Sequence, residues 1–177
     1  CRRSIREFIR STADLVVDGP ILDVGCGYRT NAPELNSNNH KYVAFDVTLP
    51  DKHVNPKIAD LRSDAKQNLV ASALVMPFPS ESFPFIVCTD VLEHIYSLDP
   101  VLREIRRVHK PGGLLVITLP GVDYPIHERL PQQKDYRRLT EGNLKSILKS
   151  YGYTLNLFER FIYKKNELHY SAIAKKN

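Results

Sequence analysis

Ile21-Leu22-Asp23-Val24-Gly25-Cys26-Gly27 is the stretch on which the fold turns. Apolar residues flank a single acid, Gly19-Pro20 stands ahead and two glycines follow, so Ile21 to Gly25 reads as a short strand covered on both faces, leading into a tight turn. Upstream, Ile5, Phe8, Ile9, Ala13 and Val16 fall at helical spacing with arginines between them, predicting an amphipathic helix within residues 1–18. Downstream, Lys41 to Asp46 reads as a second strand ending on a carboxylate, and Lys57 to Leu61 as a third. Phe85 to Thr89 suits a central strand, with Pro84 at or before its first rung. Asp99 can cap a helix that has Pro100 at its first position; Val101, Leu102, Ile105 and Val108 form its apolar face, and Pro111-Gly112-Gly113 ends it. Leu114 to Leu119 is a further buried strand. Residues 120–139 are irregular, a length that implies function. Thr140 caps a last helix built on Leu144, Ile147, Leu148 and Tyr151, and Gly152 stops it. Tyr153 to Phe161 and Leu168 to Ala174 then follow with no helix between them. Strands alternating with helices predict an α/β fold, a mostly parallel sheet with helices on both faces, and the closing hairpin predicts one antiparallel member.

Composition agrees with one domain over residues 1–177: 42% of the 177 residues are hydrophobic and 25% charged, and a chain of this size buries roughly 70% of its unfolded surface. No apolar run approaches the roughly 18 residues of a membrane span. The excess of 25 basic over 20 acidic residues sits partly at the two ends and forms no stripe with interleaved aromatics, so nucleic acid is not an expected partner. Three cysteines, far apart and odd in number, fit a reducing compartment, and the first sixteen residues lack a secretion signal's apolar core; the cytosol is the expected location. Residue 1 is Cys rather than Met, as in a fragment or a processed chain. The Cys/His spacing suggests no metal site.

An open α/β sheet binds its ligand beyond the carboxyl ends of its strands. Gly25 and Gly27 let backbone approach a ligand closely there. Asp46, 19 residues after Gly27, stands where a carboxylate accepts both hydroxyls of a ribose. A dinucleotide fingerprint would place a third glycine at Thr30, which makes NAD the weaker candidate and an NAD-linked oxidoreductase the least favoured function. Asp23, two residues before the first glycine, suits a ligand carrying an ammonium group, such as the amino end of a methionine. Cys26 reads as a small packing residue within this cofactor loop.

Four segments together resemble the class I S-adenosylmethionine-dependent methyltransferases, in the branch of small methyltransferase type 11 domains: Ile21 to Gly27, Met76-Pro77-Phe78-Pro79, Val91-Leu92-Glu93-His94-Ile95, and Arg107 to Gly113. The resemblance spans about Gly19 to Tyr153. It implies a Rossmann-like seven-stranded sheet with an antiparallel last strand and S-adenosyl-L-methionine as cofactor. By position it places Gly25, Cys26 and Gly27 at the methionine end, Asp46 and Val47 at the ribose, Ser72 and Ala73 at the adenine edge, and Asp90 near the reacting end. Ser72 and Pro84 stand where the family usually carries Asp, and Arg29 or Thr30 where it carries Gly.

Transfer from a sulfonium depends mainly on alignment, and a base helps when the acceptor is a protonated hydroxyl or amine. Asp90, just past the fourth strand, and His127, in the long connection after the fifth, are the candidate catalytic residues. Tyr124, His127, Tyr136 and Arg137 are the candidate acceptor contacts, set on a segment that looks like one found in methyltransferases of polysaccharide and cell-envelope gene clusters, and suited to sugar hydroxyls or a phosphate. Arg137, Arg138 and Asp135 could equally brace the last helix. Glu93 and His94 are expected to cap and orient the next helix, and His109 to sit near a helix C-terminus, where a partly charged imidazole is favourable. The expected function is methyl transfer to O or N of a small-molecule or saccharide-type acceptor; the alternative is an S-adenosylmethionine-binding module or partner subunit without catalysis.

Overall fold

A computed structural model describes residues 2–13, 15, 19–27, 31, 35, 41–47, 68–124, 134–162 and 168–177. The chain runs α1 (Arg2–Ala13), β1 (Ile21–Val24), β2 (Tyr42–Asp46), β3 (Asn68–Val70), β4 (Phe83–Thr89), a 3-10 turn (Leu92–His94), α2 (Leu98–Val108), β5 (His109–Pro120), α3 (Glu141–Ser150), β6 (Tyr153–Ile162) and β7 (Leu168–Lys176). The strands make one seven-stranded sheet in the order β3-β2-β1-β4-β5-β7-β6. β3, β2, β1, β4 and β5 pair in parallel, and β7 lies antiparallel between β5 and β6. The chain order reverses between β1 and β4, which opens the crevice where such sheets bind ligands.

Alternating side chains assign the two faces. Leu22, Val24, Ile86, Cys88, Leu115 and Ile117 pack with Val101, Leu102 and Ile105 of α2 and with Leu144 and Leu148 of α3. Ile21, Phe85, Val87 and Val116 point the other way and meet Phe8 and Ile9 of α1. Each fully covered aliphatic or aromatic side chain stabilises the fold by roughly 1.5–3 kcal/mol.

Several local expectations need correction. The third strand is Asn68–Val70; Lys57 to Leu61, where it was expected, lies outside the described residues. β4 starts at Phe83, with Pro84 inside it, and the ladder tolerates the missing N–H because the register with β5 shifts between Phe83 and Phe85. The N-cap of α2 is Ser97, not Asp99; Asp99 sits in the first turn, where Arg103 Nε donates to it at 2.8 Å and Tyr151 Oη at 2.6 Å. α2 ends at Val108, before Pro111-Gly112-Gly113, because His109 turns extended (φ −80, ψ 132) and pairs with Phe83. Thr140 caps α3 as expected, accepting the Asn143 N–H at 3.2 Å, and Gly152 (φ +73) turns the chain after it.

His109 does not act as a cation at the end of α2. It is fully buried, with Nδ1 2.9 Å from Tyr153 Oη, and burial together with nearby Lys176 pushes its pKa down to about 4. Lys176 places a cation there, its Nζ donating to the carbonyls of Arg106 at 3.0 Å and His109 at 2.6 Å.

A neutral buried histidine makes the fold sensitive to acid. Its unfolded value is 6.5 and its folded value about 4. Below pH 6.5 the unfolded chain takes up a proton that the folded chain refuses, so stability falls between pH 6.5 and about 4, by on the order of 3 kcal/mol from this group. Urea unfolding at pH 7 and pH 4.5 should show a smaller acid loss in His109→Gln than in the wild type.

Candidate functional site

The crevice beyond β1 and β2 is built from backbone. Gly25 (φ +66) and Gly27 (φ +49) adopt left-handed conformations, so the chain doubles back immediately after Val24. The Cys26 N–H donates to the Phe45 carbonyl at 3.0 Å, and the Gly27 N–H donates to Asp46 Oδ2 at 2.8 Å. Val47 N–H donates to Oδ1 of the same carboxylate at 2.7 Å. Gly25, Cys26, Gly27, Asp46 and Val47 are therefore gathered at one edge, the Asp46 carboxylate being fixed by two backbone donors. The Val47 side chain is 68% exposed beside it.

The adenine-edge residues join this group through the Ala71 N–H, which donates to the Asp46 carbonyl at 2.9 Å. Ser72 forms a tight turn in which its Oγ accepts the Leu74 N–H at 3.2 Å, with Ala73 at the next position. Exposed Leu74 and Val75 continue an apolar rim. Asp23 lies beneath the loop, fully buried, accepting from Tyr42 Oη at 2.6 Å. Asn31 links it to β4 by donating to Thr89 Oγ1 at 3.0 Å.

The turn after β4 forms the opposite wall. Asp90 holds φ +54, and its N–H donates to the Thr118 carbonyl at 3.1 Å. Its Oδ1 accepts from Thr118 Oγ1 at 2.9 Å and lies 2.9 Å from His169 Nε2. Tyr124 sets its ring edge-on to His169, centroids 6.0 Å apart.

Glu93 and His94 do not cap α2. Glu93 is 1% exposed, and its pKa is pushed well up, first by burial and then by the charge of Asp90. His94 Nδ1 lies 2.9 Å from Asp135 Oδ1. The Glu93 carbonyl accepts the Tyr136 N–H at 2.8 Å. Arg137 donates to the carbonyls of Leu92, Ile95 and Tyr96, and Arg138 donates to Asp135 Oδ2 at 2.7 Å. The segment 134–140 is thus strapped to the turn after β4, with Tyr136 meeting Tyr96 edge-on at 5.4 Å. The Arg137 guanidinium spends these bonds on bracing, which limits what it can offer an acceptor. His127 lies outside the described residues.

Sequence reasoning missed Thr118 and His169. The available signal was the closing hairpin: an antiparallel strand begins at the edge where parallel strands end, so the first residues of β7 belong to the site.

A family model described as a methyltransferase domain matches residues 2–156. The sterol 24-C-methyltransferase of Pneumocystis carinii is 32% identical over 105 residues, covering 53% of this chain and 26% of that protein, so the chain spans about a quarter of this relative's length. Among solved structures, the 1,6-didemethyltoxoflavin-N1-methyltransferase of Burkholderia thailandensis, with bound 1,6-didemethyltoxoflavin and S-adenosylhomocysteine, superposes with a TM-score of 0.75 at 21% identity, covering 99% of this chain and 78% of that one. The [4+2]-cyclase SpnF superposes with a TM-score of 0.76 at 18% identity, covering 98% and 80%. Both likenesses are likenesses of fold.

The geometry separates the two glycines. A Cβ on Gly25 would stand 2.5 Å from Val91 Cγ2, whereas one on Gly27 would meet none of the described residues within 4 Å. Gly25→Ala should therefore destabilise the ligand-free protein by about 2–4 kcal/mol, and Gly27→Ala by only the left-handed penalty of about 1–2 kcal/mol. Thermal unfolding of both variants, with Val91→Ala added to relieve the first, checks this.

Proposed function

Since the chain belongs to the methyltransferase domain family, we propose that it is an S-adenosylmethionine-dependent enzyme that methylates an oxygen or nitrogen of a small-molecule or saccharide-type acceptor. The observation carrying this reading is the Asp46 carboxylate, fixed across the crevice by the Gly27 N–H at 2.8 Å and the Val47 N–H at 2.7 Å. A carboxylate held in this way beside two left-handed glycines suits a ribose next to a closely approached chain. The residues fit the cofactor in other respects. Asp23 supplies a buried carboxyl group beneath the methionine end, and Val47, Leu74 and Val75 supply apolar surface for an adenine. Ser72, spending its Oγ on its own turn, leaves adenine recognition to backbone.

When bound, S-adenosylmethionine supplies an electrophilic methyl group on sulfur. The chain's own contribution is placement. Gly25 and Gly27 set the depth of the methionine end, Asp46 its lateral position, and the braced segment 134–140 the wall against which an acceptor rests. Alignment of this kind is worth roughly 7–11 kcal/mol in favourable cases. Asp90, beside the reacting end, is the proposed base for an O–H or N–H acceptor, with His127 as the second candidate. Tyr124 and Tyr136 are proposed acceptor contacts, and Arg137 supports them from behind. The methyltransferase type 11 branch, a cell-envelope saccharide acceptor, a single domain over 1–177 and a cytosolic location complete the proposal.

A second reading, a cofactor-binding module without methyl transfer, draws support from Ser72 in place of the usual acid. Turnover separates the two. With S-adenosylmethionine and a panel of nucleotide sugars, phenols, amines and carboxylic acids, formation of S-adenosylhomocysteine is expected with at least one acceptor, and none at all would favour the module. Calorimetry should show S-adenosylhomocysteine binding to the wild type and binding about 10- to 100-fold weaker in Asp46→Ala, as expected for losing hydrogen bonds to a charged acceptor. Equal affinity would remove Asp46 from the site.

A further inference from the structure

Asp90 adopts φ +54 without being glycine, a conformation that costs an L-residue about 1–2 kcal/mol and persists only where the surroundings over-determine it. Here three contacts do so: N–H to the Thr118 carbonyl at 3.1 Å, Thr118 Oγ1 to Oδ1 at 2.9 Å, and His169 Nε2 at 2.9 Å from that same oxygen. The two partners differ in setting, the His169 side chain being 6% exposed and that of Asp90 45%. His169 is therefore the interior support and Asp90 the group that faces the crevice.

The tautomer follows from burial. His169 Nδ1 is buried with no hydrogen-bond partner among the described residues, and an N–H placed there would be an orphan donor costing about 1–3 kcal/mol. The ring proton accordingly belongs on Nε2, where Asp90 accepts it. Glu93 on the same turn is 1% exposed, so the exposed carboxylate of the turn is Asp90.

We infer that His169 is a positioning residue for Asp90: from the antiparallel strand it donates Nε2–H to Oδ1 and, with Thr118, aims the carboxylate at the methyl acceptor as the group that takes the acceptor's proton. In that step the acceptor's lone pair forms the bond to the methyl carbon, the carbon–sulfur pair departs on sulfur, and the O–H or N–H proton passes to Asp90 and then to water. The inference rests on the methyl-transfer reading above.

The test reads the carboxylate itself. The Asp90 side-chain 13C signal, assigned by its loss in Asp90→Asn, is titrated in the full chain for the wild type, His169→Gln and His169→Asn. A Gln amide can donate from the place of Nε2; an Asn amide reaches only the place of Nδ1. Donors to a carboxylate favour its ionised form. The midpoint should therefore stay near the wild type in His169→Gln and rise by about one pH unit, a tenfold change in proton affinity, in His169→Asn. The other ionisable groups around this turn, Asp23 on β1, Cys88 on β4, Glu93 and His94 on the turn itself, Tyr124 against His169, and Asp135 and Arg138 from 134–140, are common to all three proteins. Equal midpoints in the Gln and Asn variants overturn the positioning role. Failure of wild-type protein to bind S-adenosylhomocysteine by calorimetry instead overturns the methyl-transfer reading and leaves the Asp90 titration to be judged separately.

Discussion

The turns after β1 and β4 are pressed together until a Cβ on Gly25 would lie 2.5 Å from Val91 Cγ2. This contact is the constraint on which the site depends. It sets the spacing between the backbone proposed to hold the cofactor and the turn carrying Asp90, and it does so with methyl groups, which are stiff at χ1. Gly25 is thus required twice, once for a positive φ and once for closeness to Val91. Gly27 needs the conformation, and none of the described residues would crowd a side chain there.

Charge concentrated behind Val91 has to be contained. Asp23, Asp90, Glu93 and Asp135 sit around the end of β4, and the Cys88 thiol between them is pushed up by burial and by three of these acids. Several uncompensated carboxylates in a packed region would cost far more than the fold's net stability. The structure disposes of them separately: Tyr42 binds Asp23, burial pushes the Glu93 pKa well up, His94 and Arg138 take Asp135, and Thr118 and His169 hold Asp90. These pairings explain why residues 134–140, which have no regular structure, still hold one geometry.

Features governed by local chemistry were legible in the sequence. The β1 turn, the carboxylate ending β2, the Thr140 cap and the Gly152 stop each depend on neighbours within a few residues, and each lies where the pattern put it. Apart from the α2 cap, which moved from Asp99 to Ser97, the readings that failed did so on contacts distant in sequence. His109 resembles a helix-end cation until its pairing with Phe83 and its burial against Tyr153 are known, and Lys176, 67 residues further on, then takes that role. Glu93-His94 resembles a cap for α2 until residues 134–140 return to it. Pro84 looks external to a strand until the register shift that accommodates it is seen.

The strand that returns against the others has a consequence beyond closing the sheet. A parallel strand presents its last residues to the crevice, so β1, β2 and β4 contribute whatever follows an apolar run: Gly25, Asp46, Asp90. An antiparallel strand presents its first residues, and β7 enters with Leu168 and then its buried stretch, His169 to Ala174. The register pairs His169 with Pro120, the last residue of β5, placing an imidazole level with the carboxyl edge. Thr118, two residues earlier on β5, shares a sheet face with His169, because side chains alternate with period two, and the two converge on one oxygen of Asp90. Reversal of this single strand therefore lets a residue close to the end of the chain complete a wall begun by the turn after β4.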